Sequence, residues 1–168
     1  MVTKREFEAQ LRYLENPPEM SMEDALNSEQ PVFEISIRLA ASDVELTEYE
    51  NMFFEADCFL ADTLNGGLIQ TMCNRTGEYT DSVHHFVSTY CDADVSQIFS
   101  ELKALFPGGV IPLNLVERND VIDTLSDDLD EFDPFDELTL RFYELESKFK
   151  EGLIKLATEK SKYFPTLR

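Results

Sequence analysis

A chain of 168 residues with 34 acidic and 14 basic side chains carries a formal net charge of −20, and a surface that negative repels phosphate, which excludes nucleic acid and anionic membranes as direct partners. Its 43% hydrophobic content, with 13 Phe, supplies a core and excludes a disordered acidic tail. No apolar run approaches the roughly 20 residues of a membrane span, the first residues lack a signal peptide's apolar stretch, and the odd set Cys58, Cys73 and Cys91 reads as reduced thiols of a cytoplasmic protein.

Phe7, Leu11 and Leu14 set a short amphipathic helix over residues 6–14, which Pro17-Pro18 ends. Residues 22–30 are a weaker helix. Pro31 suits a first helical position, so 32–41 reads as helix, although Phe33, Ile35 and Ile37 alternate as in a strand. Residues 47–64 are the clearest central helix, with Leu46, Tyr49, Phe53, Ala56, Leu60 and Leu64 on one face. Asn65-Gly66-Gly67 stops it with a bend that glycine takes easily. Residues 68–73 are a short helix closed by Asn74-Arg75-Thr76-Gly77. Thr80 or Asp81 caps a helix to Tyr90, and Asp92 or Asp94 caps one ending at Phe106-Pro107-Gly108-Gly109. Residues 113–125 form another. Asp133 as N-cap, Pro134 at N1 and Asp136 at N3 start the last helix. There Leu138, Phe142, Leu145, Phe149, Leu153 and Leu156 hold one face over about 28 residues, roughly 42 Å. The prediction is all-α: a single-domain multi-helix bundle, with N-terminal helices in 1–44, a core in 45–168, and a minor short strand pair as the one β element allowed.

The charge is unevenly placed. Residues 1–40 carry −4, 41–100 carry −10, 101–146 carry −10 and 147–168 carry +4. In the central helix Glu48, Glu55 and Asp62 recur every seven residues away from the apolar stripe, and Asp43, Glu50 and Asp57 recur along a flank. Seven helical residues advance about 10.5 Å, close to three nucleotides of one DNA strand at about 10.2 Å. The i+4 neighbours of Glu48, Glu55 and Asp62 are Met52, Phe59 and Gly66, not bases. By contrast Glu137–Arg141, Glu144–Lys148, Glu146–Lys150 and Glu151–Lys155 are favourable i,i+4 pairs in the C-terminal helix. A second acidic run is Asp120, Asp123, Asp127, Asp128, Asp130, Glu131, Asp133, Asp136 and Glu137, in which Asp133 and Asp136 fit N-terminal capping of a helix dipole but the five acids between 123 and 131 do not. The candidate partner-binding carboxylates are Asp43, Glu45, Glu48, Glu50, Glu55, Asp57, Asp62, Asp120, Asp123, Asp127, Asp128, Asp130 and Glu131. The plain alternative is a solvated acidic surface. Salt adaptation predicts uniform acid and scarce lysine, unlike the lysine-bearing tail.

Reactive constellations are not marked. His84 and His85 are adjacent and point about 100° apart on a helix, so they do not converge on a metal. Phe132 and Asp133 break the ligand and glycine spacing of a calcium loop begun at Asp128. No Gly-Lys-Ser/Thr follows Asn65-Gly66-Gly67. Cys91 and His85 lack a residue that would orient a base. No catalytic residue, metal or cofactor is expected.

Leu64-Asn65-Gly66-Gly67-Leu68-Ile69-Gln70, Asn74-Arg75-Thr76-Gly77-Glu78-Tyr79, Leu105-Phe106-Pro107-Gly108-Gly109 and Leu140-Arg141-Phe142-Tyr143-Glu144-Leu145-Glu146 occur in this order. With this spacing, from about residue 45 onward, the chain resembles the DMP family of bacterial DNA-mimic proteins. The motifs are fold determinants: turns, caps and core. The resemblance implies an α-helical, dimeric protein whose carboxylates imitate duplex phosphates and whose partner is a DNA-binding protein with a basic surface, a helix-turn-helix transcription factor foremost. Competitive DNA mimicry that modulates transcription is therefore the expected function. An immunity-type inhibitor of a toxic nuclease is the first alternative, and a hydrolase with paired carboxylates the second.

Overall fold

The computed structural model describes residues 4–127 and 134–167. Among them are nine α-helices and no strand: α1 Lys4–Glu15, α2 Met22–Leu26, α3 Pro31–Ala40, α4 Glu48–Cys73, α5 Thr80–Tyr90, α6 Ala93–Ala104, α7 Leu115–Asp127, α8 Pro134–Glu144 and α9 Glu146–Glu159. Short 3-10 turns lie at Arg75–Tyr79, Pro107–Gly109, Ser161–Tyr163 and Pro165–Leu167. The fold is all-α, and α3 is helical despite the alternation of its apolar residues. Every residue from Ile35 to Leu39 is buried, so the polar positions of the alternating pattern are inside as well, which a half-exposed strand does not do. The chain forms two compact units, Met1–Phe54 with Ile154–Arg168, and Glu55–Leu153.

In the first unit Ser21 caps α2 by accepting the Asp24 N–H at 3.1 Å, and Pro31 opens α3. Ala25, Ile35, Leu39, Phe53 and Phe164 are buried. Phe164 meets Phe53 edge-on at 6.0 Å, and Tyr163 lies 5.1 Å from Tyr49. Arg38, also buried, pairs with Glu34 at 2.6 Å and donates to the Pro18 carbonyl at 3.1 Å.

The second unit is built on phenylalanine. Phe59 and Phe99 lie 5.2 Å apart, Phe86 and Phe149 5.1 Å, and Phe142 and Phe149 5.5 Å. All five are fully buried, each contributing roughly 2 kcal/mol relative to an exposed ring. The break at Asn65-Gly66-Gly67 is present inside α4: Gly67 takes φ 79° and ψ 176°, which glycine alone adopts readily. The helix restarts at Leu68, whose N–H donates to Thr139 Oγ1 of α8 at 2.9 Å. Tyr143 Oη donates to the Thr63 carbonyl at 3.1 Å, and the Thr63 and Thr71 hydroxyls meet at 2.9 Å. Side chains thus replace the backbone bonds lost at the bend.

Two expectations are corrected. The last helix is not continuous: it breaks at Leu145, whose N–H turns to the Phe142 carbonyl at 3.0 Å. Periodicity alone cannot register this, because Phe142 and Phe149 stay in phase while packing together and on Phe99. At the start of α5, Thr80 and Asp81 do not cap. The Thr80 hydroxyl donates to the Gly77 carbonyl and Asp81 pairs with Lys103, both within the second unit. Asp92 does cap α6, accepting the Val95 N–H at 3.1 Å.

Candidate functional site

The candidate carboxylates divide by what they touch. In the first unit Asp43, Glu45 and Glu48 are exposed and make no ion pair among the described residues. Glu50 is fully buried, which removes it from any surface role. Its Oε2 accepts the Thr47 N–H at 2.9 Å, Thr47 Oγ1 accepts the Glu50 N–H at 3.3 Å, and Oε1 accepts the Thr166 N–H at 3.1 Å. Thr47-x-x-Glu50 is a capping box, a signal present in the sequence that outranks the seven-residue spacing by which Glu50 looks like a surface acid.

In the second unit Glu55, Asp57 and Asp62 are half-buried. Asp62 is engaged internally. Asn74 Nδ2 donates to its two oxygens at 3.1 and 3.0 Å, Gln70 Nε2 donates at 3.4 Å, and the Thr76 hydroxyl donates as well. It holds the turn after α4, so its carboxylate is a structural anchor before it is anything else. The field of this cluster registers on Cys58, whose thiol is pushed up to about 11 by burial first and then by Asp57, Asp62 and Glu55. Such a thiol stays protonated at neutral pH and is not an activated nucleophile.

Helix α7 is the clearest one-sided acidic surface. Arg118 and Ile122 are buried, whereas Glu117, Asp120 and Asp123 are exposed. Arg118 is the only base of α7, and it points inward. Its Nε donates to the Met72 carbonyl at 2.6 Å, Nη2 to Asn74 at 2.7 Å, and Nη1 to Pro112 and Leu113 at 2.7 and 3.1 Å. No carboxylate among the described residues bonds it, and burial pulls its pKa below the ordinary value. The outward carboxylates therefore have no counter-charge on their own helix. Glu117 is an exposed acid that the sequence reading did not single out. The i, i+4 spacing of Arg118 and Ile122 marks the buried side of α7, and Glu117, Asp120 and Asp123 lie off it. The Asp127 side chain, Asp128, Asp130 and Glu131 lie outside the described residues.

Elsewhere the cations neutralise other acids. Lys148 binds Asp92 at 2.7 Å and Asp94 at 3.0 Å, Lys103 binds Asp81 at 2.7 Å, and Arg141 grips Glu101 with both Nη atoms. The hydrogen bonds that Lys148 donates to Asp92 and Asp94 push its pKa up to about 12. Of the four i,i+4 pairs expected near the C-terminus, Glu146–Lys150 closes, at 2.5 Å. Arg141 and Lys148 instead reach acids distant in sequence, where planar or shared geometry is better. Asp81, Asp92, Asp94 and Glu101 are thus compensated, whereas the candidate acids Asp43, Glu45, Glu48, Glu55, Asp120 and Asp123, with Glu117, make no ion pair among the described residues, and neither do Glu137, Glu144 and Glu151 near the C-terminus.

No group of three or more His, Cys, Asp or Glu among the described residues is placed to hold a metal ion. None of the described helices is long and apolar enough to cross a membrane.

No curated protein and no solved structure matches the chain. A family model described as DMP19-like protein matches residues 44–159, more than half of the sequence. That span runs from the residue after Asp43, through the Gly66-Gly67 bend, the turn anchored by Asp62 and Arg118, and α7, to the end of α9. The chain belongs to the DMP19-like protein family.

Proposed function

We propose that the protein is a DNA mimic: its uncompensated carboxylates stand in for duplex phosphates and occupy the DNA-binding face of a basic protein, foremost a helix-turn-helix regulator, and so modulate transcription. The observation that carries this is the division of the acids. Lys103, Arg141, Lys148 and Lys150 pair with Asp81, Asp92, Asp94, Glu101 and Glu146, while Glu117, Asp120 and Asp123 share a helix whose only base is buried on four carbonyls. Membership of the DMP19-like family supports the same reading.

A DNA-binding protein presents Lys, Arg and backbone N–H groups at phosphate spacing. Carboxylates fixed on helices meet that face with little ordering entropy to lose. Association is steered by the field and weakens with salt. The reading includes a cytoplasmic homodimer, which doubles the acidic surface, and it assigns the chain no catalytic step, metal or cofactor. The test is retention on immobilised protein at about 50 mM salt with elution toward about 200 mM, the range over which phosphate-like contacts weaken. Recovery of DNA-binding regulators supports mimicry. Recovery of one nuclease whose cleavage is blocked replaces it with an immunity function, and absence of any basic partner refutes it.

A further inference from the structure

Three large aliphatic side chains stand in solvent at the N-terminal end of α7. Val110 is 67% exposed, Leu113 64% and Val116 67%. Further along α7, Val121 and Leu125 line a groove with Pro107, Asp120 and Thr124. Scattered exposed aliphatics are ordinary; these recur every third residue, two on the loop before α7 and one on its first turn, and continue onto the outer face of the helix, because Val116, Asp120 and Asp123 follow at i, i+4 and i+7.

The loop that carries them is fixed from beneath. Arg118 Nη1 donates to the carbonyls of Pro112 and Leu113, and Asn114 Oδ1 accepts the N–H groups of Val116 and Glu117 at 2.9 and 3.1 Å. The buried guanidinium therefore does two things at once. It withdraws the helix's one positive charge from the surface, and it clamps the backbone that holds the aliphatic side chains outward.

We infer that Val110, Leu113 and Val116, flanked by Glu117, Asp120 and Asp123, form the apolar centre of the partner-binding surface, and that its occupant is a protein element carrying an apolar side chain between basic ones. This deepens the proposed mimicry and rests on it. Charge selects the occupant. A second copy of the chain would bring Glu117, Asp120 and Asp123 against their own counterparts, and a nucleic acid would bring phosphates against them. A DNA-reading helix offers the complementary pattern, since it places apolar side chains against thymine methyl groups beside Arg and Lys that bind phosphates and guanine. The aliphatic side chains occupy the part of the methyl groups, and the carboxylates that of the phosphates.

The test uses the full chain and the purified helix-turn-helix regulator retained at low salt. Leu113→Gln with Val116→Gln, and separately Asp120→Asn with Asp123→Asn, are compared with the unaltered protein for affinity across a salt series, with thermal midpoints as a check on folding. The aliphatic variant is expected to bind at least about tenfold more weakly with the salt slope unchanged, as truncation at the centre of an interface does. The amide variant is expected to reduce the slope of log affinity against log salt by about one per carboxylate removed. Aliphatic variants that bind like the unaltered protein overturn the inference and leave mimicry standing if the amide variant still weakens binding. Light scattering that shows dimers dissociated by Leu113→Gln and Val116→Gln also overturns it, because a second copy then covers the patch. If no regulator is retained at all, mimicry fails and this inference fails with it.

Discussion

The guanidinium of Arg118 fills the space that a side chain at Gly77 would need. A Cβ at Gly77 would stand 2.7 Å from Arg118 Nε and 3.0 Å from the Met72 carbonyl oxygen. Neither neighbour has room to withdraw, since Nε itself bonds that carbonyl. The glycine of the Asn74-Arg75-Thr76-Gly77 motif is thus explained by α7, whose Arg118 reaches across to seal the end of α4. Gly77→Ala is expected to destabilise by about 1–3 kcal/mol through overpacking. Arg118→Leu leaves the buried Met72 carbonyl unsatisfied at about 1–3 kcal/mol and frees the part-buried carbonyls of Asn74, Pro112 and Leu113, and Arg118→Lys rescues little of this because it lacks the planar fork. Urea unfolding measures all three; an Arg118→Leu variant as stable as the unaltered protein contradicts the clamp.

Glu50 and Glu48 are two residues apart and predict opposite behaviour. Glu50→Gln places an NH2 group against a backbone N–H of Thr47 or Thr166, an unpaired buried contact worth about 1–3 kcal/mol. Glu48→Gln changes an exposed side chain and should stay within about 0.5 kcal/mol of the starting stability. Thermal unfolding of the two variants side by side distinguishes a structural carboxylate from a surface one.

The bend in α4 has its own signature. Gly67→Ala is expected to lose about 1–3 kcal/mol, because φ 79° with ψ 176° is glycine territory and the added Cβ meets Thr139 at 3.2 Å. Thr139→Ala removes the acceptor for the Leu68 N–H and should lose about 1 kcal/mol, as loss of a helix cap does, whereas Thr139→Ser should keep most of it. Equal stability of the Ala and Ser variants would show that the cap contributes nothing.

Helix positions, the Gly66-Gly67 bend and most of the core were readable because each depends on neighbours within about one turn. Asp92 as a cap and Pro31 at the start of α3 are of this kind. Partners distant in sequence were not readable. Lys148 and Arg141 have acids at helical spacing and yet bind Asp92, Asp94 and Glu101, because tertiary packing brought better geometry than the i−4 neighbour. Asp62 and Glu50 sit on acidic columns, but Glu50 is buried against backbone donors and Asp62 is tied up by amide and hydroxyl donors of the turn after α4. A charge column read from spacing thus mixes surface acids with anchors, and burial is needed to separate them.

Acid should weaken the protein through its paired carboxylates. Asp92 is held below its usual value, chiefly by its hydrogen bond from Lys148, and Glu101 chiefly by its bond from Arg141. Both pKa values are depressed in the folded state, so their contribution is complete above the unfolded values of about 3.9 and 4.3 and is lost as pH falls through the lower folded values. Stability should be level in this respect between pH 5 and 8, by about the usual carboxylate range, and decline below about pH 4. Lys148→Ala should flatten the part of that decline due to Asp92. The effect is small, since both pairs are partly exposed and screened. Denaturant unfolding across the pH range checks its sign.

The central claim is displacement of DNA from a regulator by carboxylates that take the place of phosphates. Its most direct measurement is a titration of the protein into a labelled regulator–operator complex at about 50 mM salt, followed by fluorescence anisotropy of the operator. The account predicts release of the DNA, with Glu117→Gln, Asp120→Asn and Asp123→Asn together shifting the titration to higher protein concentration. Operator that stays bound at every concentration, or release that the triple variant leaves unchanged, contradicts it.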